Sequence, residues 1–229
     1  MSEPKSALVV GASKGLGLAI AREFLERGWD VIGTVRAENT ELHALAGRYA
    51  NQLRIEHVDI TDTGQVAALQ ARLKTKTLDI LFVNAGISGK WGETVADVST
   101  EDFARVMVTN ALSPMRLVET FTDQVRTGGV VGVMSSGQGS VANNEGGGVE
   151  VYRASKAALN MLMKSFASRR GKDHASLLLA PGWVKTDLGG PEAKFSIEDV
   201  IHDLVDTIIA QEGKTGLRYL DRFGKPVRW

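Results

Sequence analysis

Ser6-Ala7-Leu8-Val9-Val10-Gly11-Ala12-Ser13-Lys14-Gly15-Leu16-Gly17 opens with an apolar run that stops at a glycine, after which the periodicity changes. Leu16, Ile20 and Phe24 recur every four residues until Gly28 interrupts them. A short apolar run ended by a turn signal reads as a strand, and a four-residue recurrence as the inner face of a helix. A second apolar run, Val31 to Val35, follows at once. Strand, glycine turn, helix and strand in this order require parallel strands, because a crossover of that length is what parallel pairing needs.

The alternation continues outward from this unit. The pattern predicts a helix around Glu38 to Tyr49, a strand at Arg54 to Val58, a helix around Gly64 to Leu73 and a strand at Leu78 to Val83. Two long helical stretches, near Glu101 to Val125 and near Val151 to Arg169, flank a strand at Val130 to Met134. A further strand, Ala175 to Leu179, precedes Pro181-Gly182; Ile197, Val200, Ile201, Leu204, Val205 and Ile208 mark a last amphipathic helix, and Leu217 to Leu220 a last strand. Nearly all-apolar strands separated by helices indicate a parallel sheet covered on both faces. The expected fold class is therefore α/β, a single-domain Rossmann fold over residues 1–229 with a doubly wound, seven-stranded parallel sheet. The glycine-rich stretch Gly137 to Gly148 reads as a loop, expected at the active site.

The 229 residues suffice for one substantial core. Lys plus Arg and Asp plus Glu both number 27, and neither sign gathers into a block that would grip nucleic acid or an anionic membrane. Small molecules are the expected partners. The absence of cysteine excludes disulfides, thiolate nucleophiles and Cys-ligated metals. Met1-Ser2-Glu3-Pro4-Lys5 lacks the features of a secretory signal and no apolar stretch approaches membrane-spanning length, so a cytoplasmic protein is expected.

Gly11, Ser13, Lys14, Gly15, Leu16 and Gly17 join the first strand to the first helix, where a helix start offers unpaired N–H groups and partial positive charge to a phosphate. Glycines let the backbone turn tightly and approach a pyrophosphate. A merely structural turn is the simpler alternative, and the position between strand and helix weighs against it. In dinucleotide-binding folds the end of the second strand chooses the cofactor: an acid there binds the ribose 2′-OH, an arginine the 2′-phosphate. Here the strand ends Thr34-Val35-Arg36, Glu38 comes late for the ribose, and Lys14 adds a second cation. NADP(H) is expected over NAD(H), against the alternative that both cations are simply solvated.

Tyr152 and Lys156 are four apart on an expected helix, so both side chains share one face. A free tyrosine, with a pKa of about 10, is a poor proton carrier near neutrality, and a nearby ammonium favours the phenolate. Alone, such a pair arises readily by chance.

Gly11-x-x-x-Gly15-x-Gly17, Asp59, Asn84-Ala85-Gly86, Asn110, Ser136, Tyr152-x-x-x-Lys156 and Pro181-Gly182-x-x-x-Thr186 occur in the order and at about the spacings of the short-chain dehydrogenase/reductase family, which the chain resembles over essentially its whole length. The stretches Tyr152 to Asn160, Pro181 to Asp187 and Gly224 to Trp229 look most like the C-factor and sniffer-type carbonyl reductases. The resemblance implies an NADP(H)-dependent oxidoreductase acting on a small carbonyl/alcohol pair. Tyr152 would donate the proton, Lys156 would hold the nicotinamide ribose and favour the phenolate, and Ser136 would steady the substrate oxygen as charge develops. Asn110 would sit behind Lys156 with a relay water. Asp59 and Ile60 would meet adenine, Asn84, Ala85 and Gly86 would pass beneath the adenosine ribose, and Pro181, Gly182, Val184 and Thr186 would meet the carboxamide.

Three departures stand out. Val10 replaces the family's usual threonine, which costs one local hydrogen bond. Ser136 and Tyr152 are sixteen positions apart, more than is common, so Ser135 and Ser140 stay open as substitutes for Ser136. Only Leu188 to Phe195 separate Thr186 from the last helix, so the substrate loop near 187–196 must be short. His43, His57, His174 and His202 show no metal-ligand spacing and read as surface or loop residues; no metal is expected. Trp91 and Trp183 either line a substrate pocket or simply pack. Relatives often pair through the two long helices, so a homodimer or homotetramer is expected alongside a monomer. A catalytically silent NADP(H) sensor is the rival from another class, against which the complete Asn110, Ser136, Tyr152, Lys156 set argues; a glycine-turn methyltransferase would have no use for Tyr152 with Lys156.

Overall fold

The computed structural model describes residues 4–90 and 92–229; Trp91 and Met1 to Glu3 lie outside them. Strands β1 (Ser6–Val10), β2 (Asp30–Val35), β3 (Leu53–His57), β4 (Leu78–Val83), β5 (Val125–Met134), β6 (Ala175–Ala180) and β7 (Gly216–Asp221) form one sheet in the order β3-β2-β1-β4-β5-β6-β7. Every neighbouring pair is parallel, as the apolar runs demanded.

Side chains alternate across each strand, and the two sets go to different cores. Ala7 and Val9 of β1 face α1 (Gly15–Glu26) and α7 (Ile201–Ile209) through Ile20, Phe24, Leu204 and Ile208. Leu8 and Val10 face α3 (Thr63–Leu73), α5 (Ser113–Phe121) and α6 (Glu150–Arg170) through Leu69, Phe121, Leu159 and Phe166. Each of the Val, Leu, Ile and Phe side chains among these contributes on the order of 2 kcal/mol by leaving water. Strand order reverses between β1 and β4, so the loops leaving their C-terminal ends part and a crevice opens there.

Four boundaries differ from expectation, each for a local reason. The helix expected over Glu38 to Tyr49 is only α2 (Glu41–Leu45), because Asn39 turns left-handed (φ 56) and Thr40 with His43 forms a capping box at its start. The helix expected over Glu101 to Val125 is α4 (Thr100–Met107), a π-helical turn (Val108–Leu112) and α5. Its last turn gives way to β5, which starts five residues before the apolar run and takes up the slack at Gly128 (φ 76) and a shift in pairing near Leu78. Ile197 begins a turn rather than the last helix: Ser196 and Asp199 exchange backbone-to-side-chain hydrogen bonds, and α7 follows.

Candidate active site

The turns after β1 and β4 are locked together at the crevice. The Val10 carbonyl accepts the backbone N–H groups of Asn84 (2.9 Å) and Ala85 (3.1 Å), and Asn84 Nδ2 donates to the Gly11 carbonyl at 3.1 Å. The hydroxyl missing at Val10 is supplied by the next strand, since the Gly11 N–H donates to Thr34 Oγ1 at 3.0 Å. At Gly17 a Cβ would lie 2.0 Å from the Gly11 carbonyl oxygen and 2.6 Å from Asn84 Nδ2. Gly17 therefore seats α1 against the strand end rather than facing the crevice. α1 begins with no capping side chain and no acidic residue in its first turn, so no group there competes with an anion for its leading N–H groups.

A cleft of about 1500 Å³ runs from this turn in both directions. Toward one end it is lined by Arg36, Asp59 and Ile60. Asp59 accepts the backbone N–H (2.9 Å) and hydroxyl (2.7 Å) of Thr61, and these bonds, aided by the Arg36 charge, hold its carboxyl below the ordinary value. Lys14, expected as a second phosphate cation, is paired with Asp187 on the loop after β6, with both groups largely exposed. The volume, the uncapped helix start and the Arg36 wall fit a dinucleotide carrying an extra phosphate.

Toward the other end, the first turn of α6 carries Tyr152 and the second Lys156, whose Nζ lies 5.7 Å from the centre of the phenol ring. Lys156 is buried and donates to the Met134 carbonyl at 2.9 Å. Burial pushes the Tyr152 phenol up to about 12, with Ser136 pulling the other way and Tyr219 adding to the rise, and burial lowers Lys156 to about 8. Desolvation of both groups thus opposes the pull of the ammonium on the phenol that the Tyr152-x-x-x-Lys156 spacing suggests.

Of the three serines left open, Ser135 and Ser136 both border the cleft, and the partners of their hydroxyls distinguish them. Ser135 is buried and donates to Asn160 Oδ1 at 2.6 Å, and Ser140 is buried and accepts the Asn143 N–H at 3.1 Å. Ser136 lines the cleft with Tyr152, its Oγ accepting the Gln138 N–H at 3.2 Å. The extra length between Ser136 and Tyr152 is a short 3₁₀ turn (Gly137–Gly139), a glycine run and Val149, which is left-handed (φ 42) at the head of α6.

Asn110 sits at the centre of the π-helical turn, fully buried, and does not reach the cleft surface. Its Oδ1 accepts the Ile87 N–H (2.8 Å) and its Nδ2 donates to the Ile87 carbonyl (2.8 Å) and to Ser155 Oγ (3.0 Å). It thereby ties the loop after β4 to α6. Gly86 runs between: a Cβ on it would be 3.3 Å from Asn110 Oδ1 and 3.5 Å from Lys156 Nζ.

Ala85, Gly86, Pro181, Gly182, Val184 and Thr186 line the cleft, joined by residues the sequence did not single out, among them Ile87, Ser88 and Val149. No local signal marks these three, because each is placed by a loop. The short loop near 187–196 folds on itself: Trp183 Nε1 donates to the Gly189 carbonyl at 2.7 Å, and Val184 pairs with Phe195. Trp183 lines the cleft rim and is half exposed, while Trp91 falls outside the described residues. His174, read as a surface or loop residue, is buried against Phe166. Glu38, His43 and His57 place ligand-type atoms within 4.8 Å of one another. The His43 Nδ1 there accepts the Thr40 N–H, which serves the cap of α2. Among the described residues no helix is long and apolar enough to cross a membrane.

Comparison with known proteins gives a consistent result. A family model described as short chain dehydrogenase matches residues 5–195. The C-signal protein of Myxococcus xanthus is 36% identical over 165 residues, covering 71% of this chain and 99% of that one. A Burkholderia multivorans structure described as a short-chain dehydrogenase/reductase with bound NADP superposes with a TM-score of 0.97 at 54% identity, covering 99% of this chain and all of that one. The carbonyl reductase Sniffer of D. melanogaster follows with a TM-score of 0.85 at 27% identity, over 99% of this chain and all of that one.

Proposed function

The chain belongs to the short-chain dehydrogenase family, and we propose that it is an NADP(H)-dependent oxidoreductase that interconverts a small carbonyl compound and its alcohol, with Tyr152 as general acid and base. The observation that carries this reading is the shared cleft: the uncapped start of α1 at its centre, Arg36 at one end, and Tyr152 beside Ser136 and Lys156 at the other. The NADP bound by the Burkholderia multivorans structure supports the choice of cofactor.

When bound, the nicotinamide supplies or accepts the hydride. The protein's own part is to hold an oxygen and move a proton. Ser136 donates its hydroxyl hydrogen to the substrate oxygen where negative charge builds. Tyr152 releases its proton to the same oxygen in reduction and recovers it in oxidation. The phenolate left in between is disfavoured by burial, and the Lys156 charge offsets that penalty. Asn110 holds α6 in register with the loop after β4, and so holds Lys156 beneath Gly86.

Tyr152→Phe tests the assignment. Oxidation of NADPH, followed at the nicotinamide absorbance band over a panel of aldehydes, ketones and quinones, should fall at least about 1000-fold in the variant, with NADPH affinity nearly unchanged. Retained turnover removes Tyr152 from the mechanism. No turnover by the unaltered protein on any member of the panel favours the sensor.

A further inference from the structure

We infer that Tyr219 is a positioning residue for Ser136, and that the last residues of the sequence act on the catalytic loop through it. The inference rests on the reading of Ser136 given above. Tyr219 lies on β7, at the sheet edge, 83 positions from Ser136, and is almost wholly buried. Its hydroxyl donates to the Ser136 carbonyl at 2.5 Å, where the Gly139 N–H also donates at 2.9 Å.

Ser136 needs such support because its own segment cannot provide it. Between Ser136 and Val149 the chain contains Gly137, Gly139, Gly146, Gly147 and Gly148 and, beyond the 3₁₀ turn, no regular element. Glycine loses more conformational freedom on ordering than any other residue, so such a segment wanders unless it is tied elsewhere. It is tied along its first half. Asn160 Nδ2 donates to the Gly139 carbonyl at 3.2 Å while its Oδ1 accepts from Ser135, so Ser136 is flanked by bonds on both sides.

The remaining ties come from the end of the sequence. The Val227 N–H donates to the Tyr219 carbonyl at 2.9 Å, and the Trp229 ring packs on Tyr219 with centroids 5.5 Å apart. The Trp229 carbonyl accepts the Ala142 N–H at 2.9 Å, and Arg228 Nε donates to Asn143 Oδ1 at 2.7 Å. Residues 224–229 thus fold back as a clasp, gripping the loop at residues 142–143 and, through Tyr219, at Ser136. A hydrogen-bond donor fixed to the wrong side of a carbonyl oxygen by a fraction of an ångström loses much of its effect on the reacting atoms.

Tyr219→Phe removes one hydroxyl and keeps the ring on Trp229. Under saturating NADPH, kcat per titrated site should fall about tenfold while the NADPH Kd stays within about twofold. The isotope effect from 4-deuterated NADPH should rise, and amide exchange over residues 135–143, followed by mass spectrometry, should quicken. A purely structural role would lower the melting temperature and the number of active sites, leaving kcat per site and the isotope effect alone. Trp229→Ala, at a half-exposed position, should quicken the same amides and Trp229→Phe should restore them, which keeps the inference exposed to refutation if Tyr219→Phe does not fold. Unchanged exchange in Trp229→Ala, or unchanged kcat per site in a folded Tyr219→Phe, overturns the inference. If the unaltered protein turns over nothing, the functional reading fails, while the exchange measurement still decides whether the clasp exists.

Discussion

Replacing Lys156 by methionine should destroy turnover and yet stabilise the fold near neutrality. The side chain is 3% exposed, and burial lowers its pKa from 10.5 to about 8. The unfolded chain therefore holds the proton more tightly than the native one, and stability rises with pH between those two values. At about 1.4 kcal/mol per pH unit, the native state carries a penalty of about 3 kcal/mol at pH 7, which falls by roughly half at pH 9.5. Methionine is close in length and has no proton to lose. It gives up the hydrogen bond to the Met134 carbonyl, a loss of about 1–2 kcal/mol once the stranded oxygen is included. The variant should thus be more stable by about 1–2 kcal/mol at pH 7 and no more stable at pH 9.5. Urea unfolding of both proteins at the two pH values, with one free energy subtracted from the other so that shared titrations cancel, measures this directly. A difference that stays constant or grows with pH would refute the idea that buried charge sets the penalty.

Gly17→Ala should cost about 3 kcal/mol or more, because backbone lies 2.0 Å from the new Cβ; a urea midpoint within error of the parent would contradict the packing of α1 on Gly11. Val149→Gly relieves a β-branched residue held left-handed, worth about 1–2 kcal/mol, less about 0.5–1 kcal/mol of added backbone entropy, so the melting temperature should hold or rise slightly. A marked fall would show that the Val149 side chain holds the cleft wall. Arg36→Ala should weaken NADPH about ten- to a hundredfold by fluorescence titration and leave NADH nearly alone; equal losses for both would place Arg36 away from the 2′-phosphate.

The layers of the fold were legible because β1, β2, β4, β6 and the second half of β5 are apolar runs and the long helices keep their period. The break at Asn110 was not, since a π-helical turn leaves apolar residues on either side of it in place and only adds to their spacing. Nor was the first half of β5: Arg126, Thr127, Gly128 and Gly129 have little strand character, and they are carried between the Val125–Leu78 pair and the ladder that resumes at Val130, with the Gly128 N–H donating to the Asp173 carbonyl at 2.7 Å. The residues of the cleft were mostly visible through motifs, yet Ser135 and Ser136 are adjacent and identical in type, and only the direction of the pleat gives the Ser135 hydroxyl to Asn160 and leaves the Ser136 hydroxyl beside Tyr152. Thr34 and Tyr219 had no signal at all, because their partners Gly11 and Ser136 lie 23 and 83 positions away.

The π-helical turn at Val108–Leu112 also acts as a phase adjuster. A residue added to an α-helix rotates everything beyond it by about 100°, and in this chain that rotation is what points Leu117, Val118 and Phe121 at the sheet while Phe103 stays at the surface. Shortening the turn by a single position would swing those three side chains toward solvent and carry Asn110 off Ile87 in the same stroke. The segment is consequently far less forgiving of altered length than of altered composition.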